Sequence, residues 1–264
     1  MPLTEENYYS EFANKTFMSV SQFKDFAGSL GHPGCEFQAM EKLNGRWKEG
    51  SSTALMIGSY VDRYYEGTLE QFKEENPQIF KRDGSLKADF VKAEQVIERI
   101  NRDDYFLKYL EGDKQVIMTA DLFGTPWKIK MDSYFPDRAI VDLKVVRSIR
   151  ELYYVKDYGH MDFIRYWGYD IQGAVYQEVV RRKTGKKLPF YIAAASKEYE
   201  PDIEIIQVTQ SYLDDALGMV EANIQRVLDV KNGLYKPIHC ESCACCRRAK
   251  MLTRPIGISE LVDS

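Results

Sequence analysis

The sequence predicts an α/β fold with a central mixed β-sheet flanked by helices, on three observations. A helix-rich first third gives way to three strand-like segments and then to helix, strand, strand and helix, an order that layers helices on a sheet. The run PFYIAAAS from Pro189 to Ser196 is almost wholly apolar, as a strand covered on both faces must be. The 264 residues carry 44% hydrophobic side chains, 18 Tyr and 13 Phe, enough to bury a core and too aromatic for a disordered chain. With no internal repeat, low-complexity tract or linker, residues 1–264 read as a single domain. It comprises a helical portion over 1–110, a core over 111–235 and a cysteine-bearing tail over 236–264.

Thr16 to Gly31 reads as a helix, with Ser19 and Ser21 as candidate caps, Phe23, Phe26 and Leu30 at helical spacing, and His32-Pro33-Gly34 as its stop. A second helix runs from Ser52 to Tyr65, with Leu55, Tyr60 and Val61 on its buried side, Gly67 as its stop, and Asp62 and Glu66 sharing one face. Leu86 to Leu110 carries the stripe Phe90, Ala93, Ile97 and Ile100, broken at Asn101-Arg102-Asp103-Asp104 and resumed at Phe106, Leu107 and Leu110. Gln115 to Phe123, Thr125 to Tyr134 and Arg138 to Val146 form an antiparallel meander whose turns are Phe123-Gly124-Thr125 and Phe135-Pro136-Asp137. Asp162 to Lys183 is long enough for six turns of helix, Ile203 to Val208 reads as a strand, and Ser211 to Asn232 as an amphipathic helix.

A net charge of −4 argues against a protein that coats nucleic acid nonspecifically, because counterion release needs many cations facing phosphates. Local basic clusters remain at Arg181-Arg182-Lys183 with Lys186-Lys187, and at Arg247, Arg248 and Lys250; solvated surface explains each equally well. No stretch approaches the ~18 apolar residues of a membrane span, and MPLTEENYYSEF lacks the basic and apolar regions of a signal peptide, so a cytoplasmic, membrane-free protein is expected. In that reducing compartment the five cysteines are thiols or metal ligands. There is no GxGxxG, GKS or GKT, which sets phosphate-loop nucleotide hydrolysis aside. None of the three histidines belongs to an obvious triad or to an HExxH pair.

The stretch KMDSYFPDRAIVDLK, Lys130 to Lys144, concentrates the chemistry. In a hairpin, Asp132 near the end of one strand can approach Asp142 in the next, while Asp142 and Lys144, two apart, point to one face. A carboxylate inside the apolar run Ala139 to Val146 needs a cation or hydrogen bonds, and oxygen ligands select Mg²⁺ or Mn²⁺. The residues alone fit equally an Asp142–Lys144 salt bridge on a solvated strand. Gln172 and Tyr176 stand one helical turn apart and project side by side; spacing alone suits a Tyr in the core with Gln outside. Arg165 and Trp167 could grip or stack on a nucleic-acid strand, although an ion pair and core packing suit them individually. Cys240, Cys243 and Cys246 form C-x2-C-x2-C, and Cys35 is the one cysteine outside the tail, so a fourth soft ligand is at hand and Cys245 is surplus. Such a set suits a four-iron four-sulfur cluster, or structural Zn²⁺ held by four cysteines or by three and His239.

An aspartate followed ten residues later by D-x-K at a hairpin end resembles the PD-(D/E)xK nuclease superfamily, in particular its RecB-like and exodeoxyribonuclease VIII-like phage branch. Further matches in the same order are FMSVSQF (Phe17 to Phe23), ALMIGSYVD (Ala54 to Asp62) and YDIQGAVY (Tyr169 to Tyr176), so the resemblance spans most of the chain. It implies a restriction-endonuclease-like core and a Mg²⁺- or Mn²⁺-dependent DNA nuclease, with an exonuclease on double-stranded ends as the preferred subtype. Asp132 and Asp142 would be metal ligands, helped by the backbone carbonyl of Leu143; Lys144 would position or activate the attacking water, and Gln172 and Tyr176 would contact DNA and support the site. Asp62 stands where the family carries a metal-binding histidine, and aspartate is a competent ligand, with Glu66 as rival. Cys35 with Cys240, Cys243 and Cys246 resembles the iron–sulfur staple of AddB-type and CRISPR-associated nucleases. The resemblance further implies phage or prophage recombination beside a single-strand annealing protein, and ring-shaped homo-oligomers. Two alternatives stand: a noncatalytic DNA-binding recombination accessory, motivated by the missing histidine, and an endonuclease, which would also cut closed circles.

Overall fold

The computed structural model describes residues 3–50 and 52–261. Seven helices come first: α1 (Glu11–Thr16), α2 (Val20–Ala27), α3 (Glu36–Leu43), α4 (Thr53–Tyr65), α5 (Leu69–Glu75), α6 (Ala88–Asn101) and α7 (Asp104–Leu110). The strands β1 (Asp113–Leu122), β2 (Thr125–Phe135) and β3 (Ala139–Val146) follow, then a small hairpin of β4 (Tyr153–Val155) and β5 (Gly159–Met161). After α8 (Phe163–Tyr166) and α9 (Tyr169–Thr184) the chain adds β6 (Phe190–Ser196), β7 (Ile203–Gln207), α10 (Gln210–Lys231) and α11 (Ala244–Ala249).

The five-stranded sheet has the order β1-β2-β3-β6-β7. β3 and β6 run parallel and the other neighbours antiparallel, so the sheet is mixed and the fold α/β, as the element order predicts. The parallel pair needs a crossover, which α8 and α9 supply. Strand alternation then sorts the core into two layers. Trp127, Ile129, Met131, Ile140, Phe190 and Ile192 pack with residues of α2, α9 and α10, whereas Val141, Leu143, Ala193 and Ala195 pack with α4, α6 and α7. Asp142 and Lys144 alternate with Val141 and Leu143 and therefore face α9 with Ile140 and Val146.

Several boundaries differ from the sequence reading, each for a local reason. The first long helix begins at Val20, where the Ser19 hydroxyl accepts the Gln22 N–H at 3.3 Å, and ends at Ala27 rather than Gly31. Gly28 turns the chain at φ 85, and a Cβ there would sit 2.5 Å from the Gly34 nitrogen, so the segment folds back on itself and Leu30 is left 40% exposed. In α4, capped by Ser52, Leu55 is 66% exposed and Ile57 takes its place on the buried side. The six-turn helix breaks into α8 and α9 because Gly168 takes φ 66. The short helices α1, α3 and α5 and the hairpin β4–β5 offer too few residues for a periodic signal.

Among the described residues, no helix is long and apolar enough to cross a membrane. The first basic cluster is spent on ion pairs: Arg181 and Arg182 with Glu178, Lys186 with Asp137, and Lys187 with Asp214. In the second, Arg248 lies over the Trp47 ring.

Candidate active site

The β2–β3 ladder pairs Phe135 with Ala139, Tyr134 with Ile140 and Ser133 with Val141, and stops there. Beyond it β3 stays paired with β6 as far as Val146, so the fork opens on the β2 side. Asp132 and Asp142 are the first residues of the fork. The Leu143 N–H donates to Asp132 Oδ2 at 3.1 Å, a side chain taking the place of a strand partner. Lys144 Nζ pairs with Asp142 Oδ2, and Gln172 Nε2 on α9 donates to Asp142 Oδ1 at 2.6 Å. The Tyr176 hydroxyl, one turn further, donates to the Lys130 carbonyl at 2.9 Å and ties α9 to β2.

Asp62, Asp132, Asp142, Lys144, Gln172 and Tyr176 line one cavity of about 270 Å³. Sequence reasoning missed three lysines on its wall, Lys24, Lys128 and Lys130. The alternation Lys128-x-Lys130-x-Asp132 along β2 is the signal that would have found two of them. Glu66, the rival to Asp62, is drawn to Arg63 at 3.6 Å and reaches only a smaller neighbouring cavity. Asp62 lines both cavities, whereas Glu66 meets Asp132 and Leu143 in the smaller one alone.

Asp142 is 2% exposed, and its Oδ2, buried beside the Lys144 ammonium, accepts no hydrogen bond of sound geometry. Burial, followed by the charge of Asp142, pushes Asp132 up to about 7. Burial and then Asp132 push Asp62 well above the usual carboxylate range. Burial works against the Lys144 ammonium, but Asp142 and Asp132 outweigh it and hold the group above its ordinary range. Lys24 is pulled down to about 8 by burial and by Lys144, and it donates to the carbonyls of Trp167 and Gly168 at 3.0 and 3.5 Å. Three carboxylates, Asp142 buried and Asp62 and Asp132 half-buried, set against the Lys144 ammonium make an oxygen donor set that fits a hard divalent cation.

The second set of candidate ligands is tighter. The sulfurs of Cys35, Cys240, Cys243 and Cys246 all lie within 4.8 Å of one another, and among the described residues no carboxylate group is gathered so closely. The aspartate site is more open, as suits an ion that keeps several waters. Cys35 and Cys243 cap α3 and α11, accepting the N–H groups of Gln38 and Cys246 at 3.4 and 3.3 Å. All five cysteines are free of disulfides, and Cys245 is buried outside the group of four. His239 stacks on Phe37 at 3.8 Å and is not one of the gathered ligands. A cavity of about 520 Å³ shares Ser21 and Lys24 with the aspartate cavity and reaches Cys35, Cys240 and Cys243. On its wall Trp167 stacks on His32 at 4.2 Å, while Arg165 is paired with Asp162.

Residues 19–249 match the model of a family described as a PDDEXK-like domain of unknown function, DUF3799. The chain is similar to the crystal structure of a "putative exonuclease" from Eubacterium rectale, with a TM-score of 0.97 and 62% identity over 99% of this chain and 98% of that one. A second solved structure, of the protein SSO0001, covers 72% of this chain and 85% of that one at 10% identity and a TM-score of 0.27, and carries no argument. No curated protein matches the chain. The family match takes in the forked strands, Lys144, the helix of Gln172 and all four gathered cysteines, and on that evidence the chain belongs to the PDDEXK-like family DUF3799.

Proposed function

We propose that this protein is a divalent-metal-dependent deoxyribonuclease acting at DNA ends. The observation that carries the reading is the buried Asp142 carboxylate at the strand fork, its Oδ2 against the Lys144 ammonium and its Oδ1 bound by Gln172, beside Asp132 in one cavity. Asp132, Asp142 and Asp62 would hold Mg²⁺ or Mn²⁺, which when bound supplies an acidified water and neutralises the departing oxygen. The N–H and carbonyl of one strand residue point the same way, so the carbonyl of Leu143 also faces the fork as a further ligand. Lys144 orients the attacking water and balances charge developing on the phosphoryl oxygens. Gln172 fixes the Asp142 carboxylate through its 2.6 Å bond, and Tyr176 fixes the helix that carries Gln172. Lys24 and Lys130 offer cations to flanking phosphates. The preference for ends is supported by the likeness to the Eubacterium rectale protein, described as a "putative exonuclease". A role in phage recombination beside a single-strand annealing protein, and ring-shaped assembly, rest on the sequence resemblance.

The four cysteines are proposed as a structural metal staple. Four thiolates on one ion with bonds of ~2.3 Å stand roughly 3.8 Å apart at the corners of a tetrahedron. The contacts Cys35–Cys246, Cys35–Cys243 and Cys240–Cys246 measure 3.5, 3.8 and 3.9 Å. A four-iron cube spreads its thiolates over four separate corners and needs a wider set. A single tetrahedral Zn²⁺ accommodates these three contacts, and the iron–sulfur cluster that the resemblance implies is the other candidate for the set.

The test of the nuclease is degradation of end-labelled linear duplex and of covalently closed circular DNA, with Mg²⁺, Mn²⁺ or EDTA, comparing the unmodified protein with Asp142→Ala. Metal-dependent loss of the linear substrate alone, absent in the variant, is expected. Cutting of the circle would move the reading to an endonuclease, and no cleavage under any condition would move it to a noncatalytic DNA-binding protein.

A further inference from the structure

Gln115 lies opposite Asp132, at the single gap in an otherwise continuous ladder. Between Asp113↔Tyr134 and Leu122↔Thr125 the β1–β2 pairing includes Lys114↔Ser133 and Val116↔Met131, and it omits Gln115 with Asp132 between them. At that point Gln115 takes φ 53. This is the left-handed region, which glycine or asparagine adopts more readily than a long side chain does. The twist brings Gln115 Nε2 to 3.5 Å from Asp132 Oδ1 and leaves Gln115 Oε1 buried without a partner. Beside it is a small cavity that also receives Asp62, Glu66 and Asp132.

A broken ladder pair, a left-handed glutamine and an orphaned buried acceptor each disfavour the fold. All three are explained if the amide serves Asp132. We infer that Gln115 is a positioning residue of the proposed divalent-metal centre, its amide N–H holding Asp132 in the rotamer that ligates the ion and its amide oxygen accepting a hydrogen bond from a water on that ion. The Leu143 N–H thus holds Oδ2 at 3.1 Å, and Gln115 Nε2 stands over Oδ1 at 3.5 Å, within reach of a tighter bond when the carboxylate is charged and ligating. Partners of this kind set ligand orientation and typically govern metal affinity by about 10- to 100-fold.

The inference rests on the nuclease reading, so the test measures metal binding apart from catalysis. Mn²⁺ affinity is measured by electron paramagnetic resonance on the protein as isolated, with thermal unfolding in parallel, for Gln115→Gly, Gln115→Asn and Asp132→Ala. Glycine and asparagine both accept the left-handed backbone, and neither can reach Asp132 as glutamine does. Both Gln115 variants are expected to keep or raise Tm and to bind Mn²⁺ about 10- to 100-fold more weakly. Asp132→Ala is expected to lose the site. Unchanged Mn²⁺ affinity in both Gln115 variants, with the site lost in Asp132→Ala, would overturn the inference and leave the metal centre standing. A fall in Tm with affinity unchanged would overturn it in favour of a structural role. Retention of the site in Asp132→Ala would sink the metal centre and the inference together.

Discussion

Lys144 carries the charge balance of the site at the scale of a single residue. Its ammonium is paired with Asp142, which is 2% exposed, so Lys144→Ala leaves a buried carboxylate uncompensated. Breaking such a pair costs about 3–5 kcal/mol unless another cation or a proton takes the place. The variant is therefore expected to cleave at least ~10²-fold more slowly, to melt lower without metal, and to recover stability with Mn²⁺, whose competitor for Asp142 has gone. Rates with and without Mn²⁺ and the corresponding melting curves check this, and an undiminished rate would sink the role given to Lys144. Asp132 makes a pH prediction of definite sign. Its folded carboxyl is pushed up to about 7 from an ordinary 3.8, so the folded state holds a proton that the unfolded chain releases. That contribution to stability is complete below the unfolded value and disappears as pH rises through about 7. The metal-free protein should lose Tm from pH 5 to 8 more steeply than Asp132→Asn, while Mn²⁺ affinity rises over the same range because the ion displaces the proton. Equal slopes for the two proteins would refute the assignment. Asp132, Asp142 and Lys144 were legible because ten-residue spacing and strand alternation are both written in sequence. Gln115 was not, because its place depends on one broken ladder pair and one backbone angle that no residue pattern announces.

At the scale of elements, the site exists because two strands part and a helix is pressed over the gap. The helix is α9, and Gly173 sets how close it comes. A Cβ at Gly173 would lie 2.4 Å from the Phe190 ring of β6 and 2.9 Å from Leu213 of α10, contacts that neither a ring on a buried strand nor a packed helix can relieve cheaply. Gly173→Ala should therefore lift α9, stretch the Gln172–Asp142 bond, and cost about 1–3 kcal/mol. In a chain of this size each kcal/mol is worth about 2–4 °C of Tm. Gly58, in the middle of α4, is the control: nothing lies within 4 Å of its added Cβ, and Gly58→Ala should raise stability by about 0.5–1 kcal/mol. Differential scanning calorimetry of the pair decides, and a Gly173→Ala protein as stable as its parent would show that α9 is not held where the contacts place it. The meander and the apolar strand were readable because periods of two and continuous apolar runs are strong signals. The break at Gly168 was not, since one glycine inside a helical pattern is tolerated as often as it ends a helix.

For the molecule as a whole, the question is what holds the last turn of chain to the first helices. The segment after α10 is mostly uncovered: Leu234 and Ile238 are 71% and 63% exposed, so apolar burial cannot fasten it. Its contacts there combine polar bonds with ring stacking, His239 on Phe37 and Arg248 over Trp47. Arg226 on α10 pairs with Glu36 at 2.8 Å, Glu36 also accepts the Ile238 N–H at 2.8 Å, and the Phe37 N–H donates to the Ile238 carbonyl at 3.1 Å. Beyond them α11 is joined to α3 by the gathered sulfurs of Cys35, Cys240, Cys243 and Cys246. Four thiolates at this spacing would repel one another and a cation would offset that, so in the proposed staple metal binding and closure of the chain's ends are one equilibrium. The cysteine spacing showed three of the candidate ligands and the resemblance supplied Cys35 as the fourth; the fold gathers those four and stacks His239, the other candidate, on Phe37. Cys243→Ala should therefore lose its bound metal, melt at a lower temperature and expose the tail to proteolysis between α10 and α11, while Cys245→Ala keeps the metal. Elemental analysis with the absorption spectrum separates the two chemistries: one zinc per chain and no visible band fits the sulfur spacing, and about four irons with a broad visible band would mean that the sulfurs stand wider apart around a cluster. Unchanged metal content and Tm in Cys243→Ala would remove the staple altogether, leaving the Glu36–Arg226 pair, the Ile238 backbone bonds and the ring contacts of His239 and Arg248 to hold the tail.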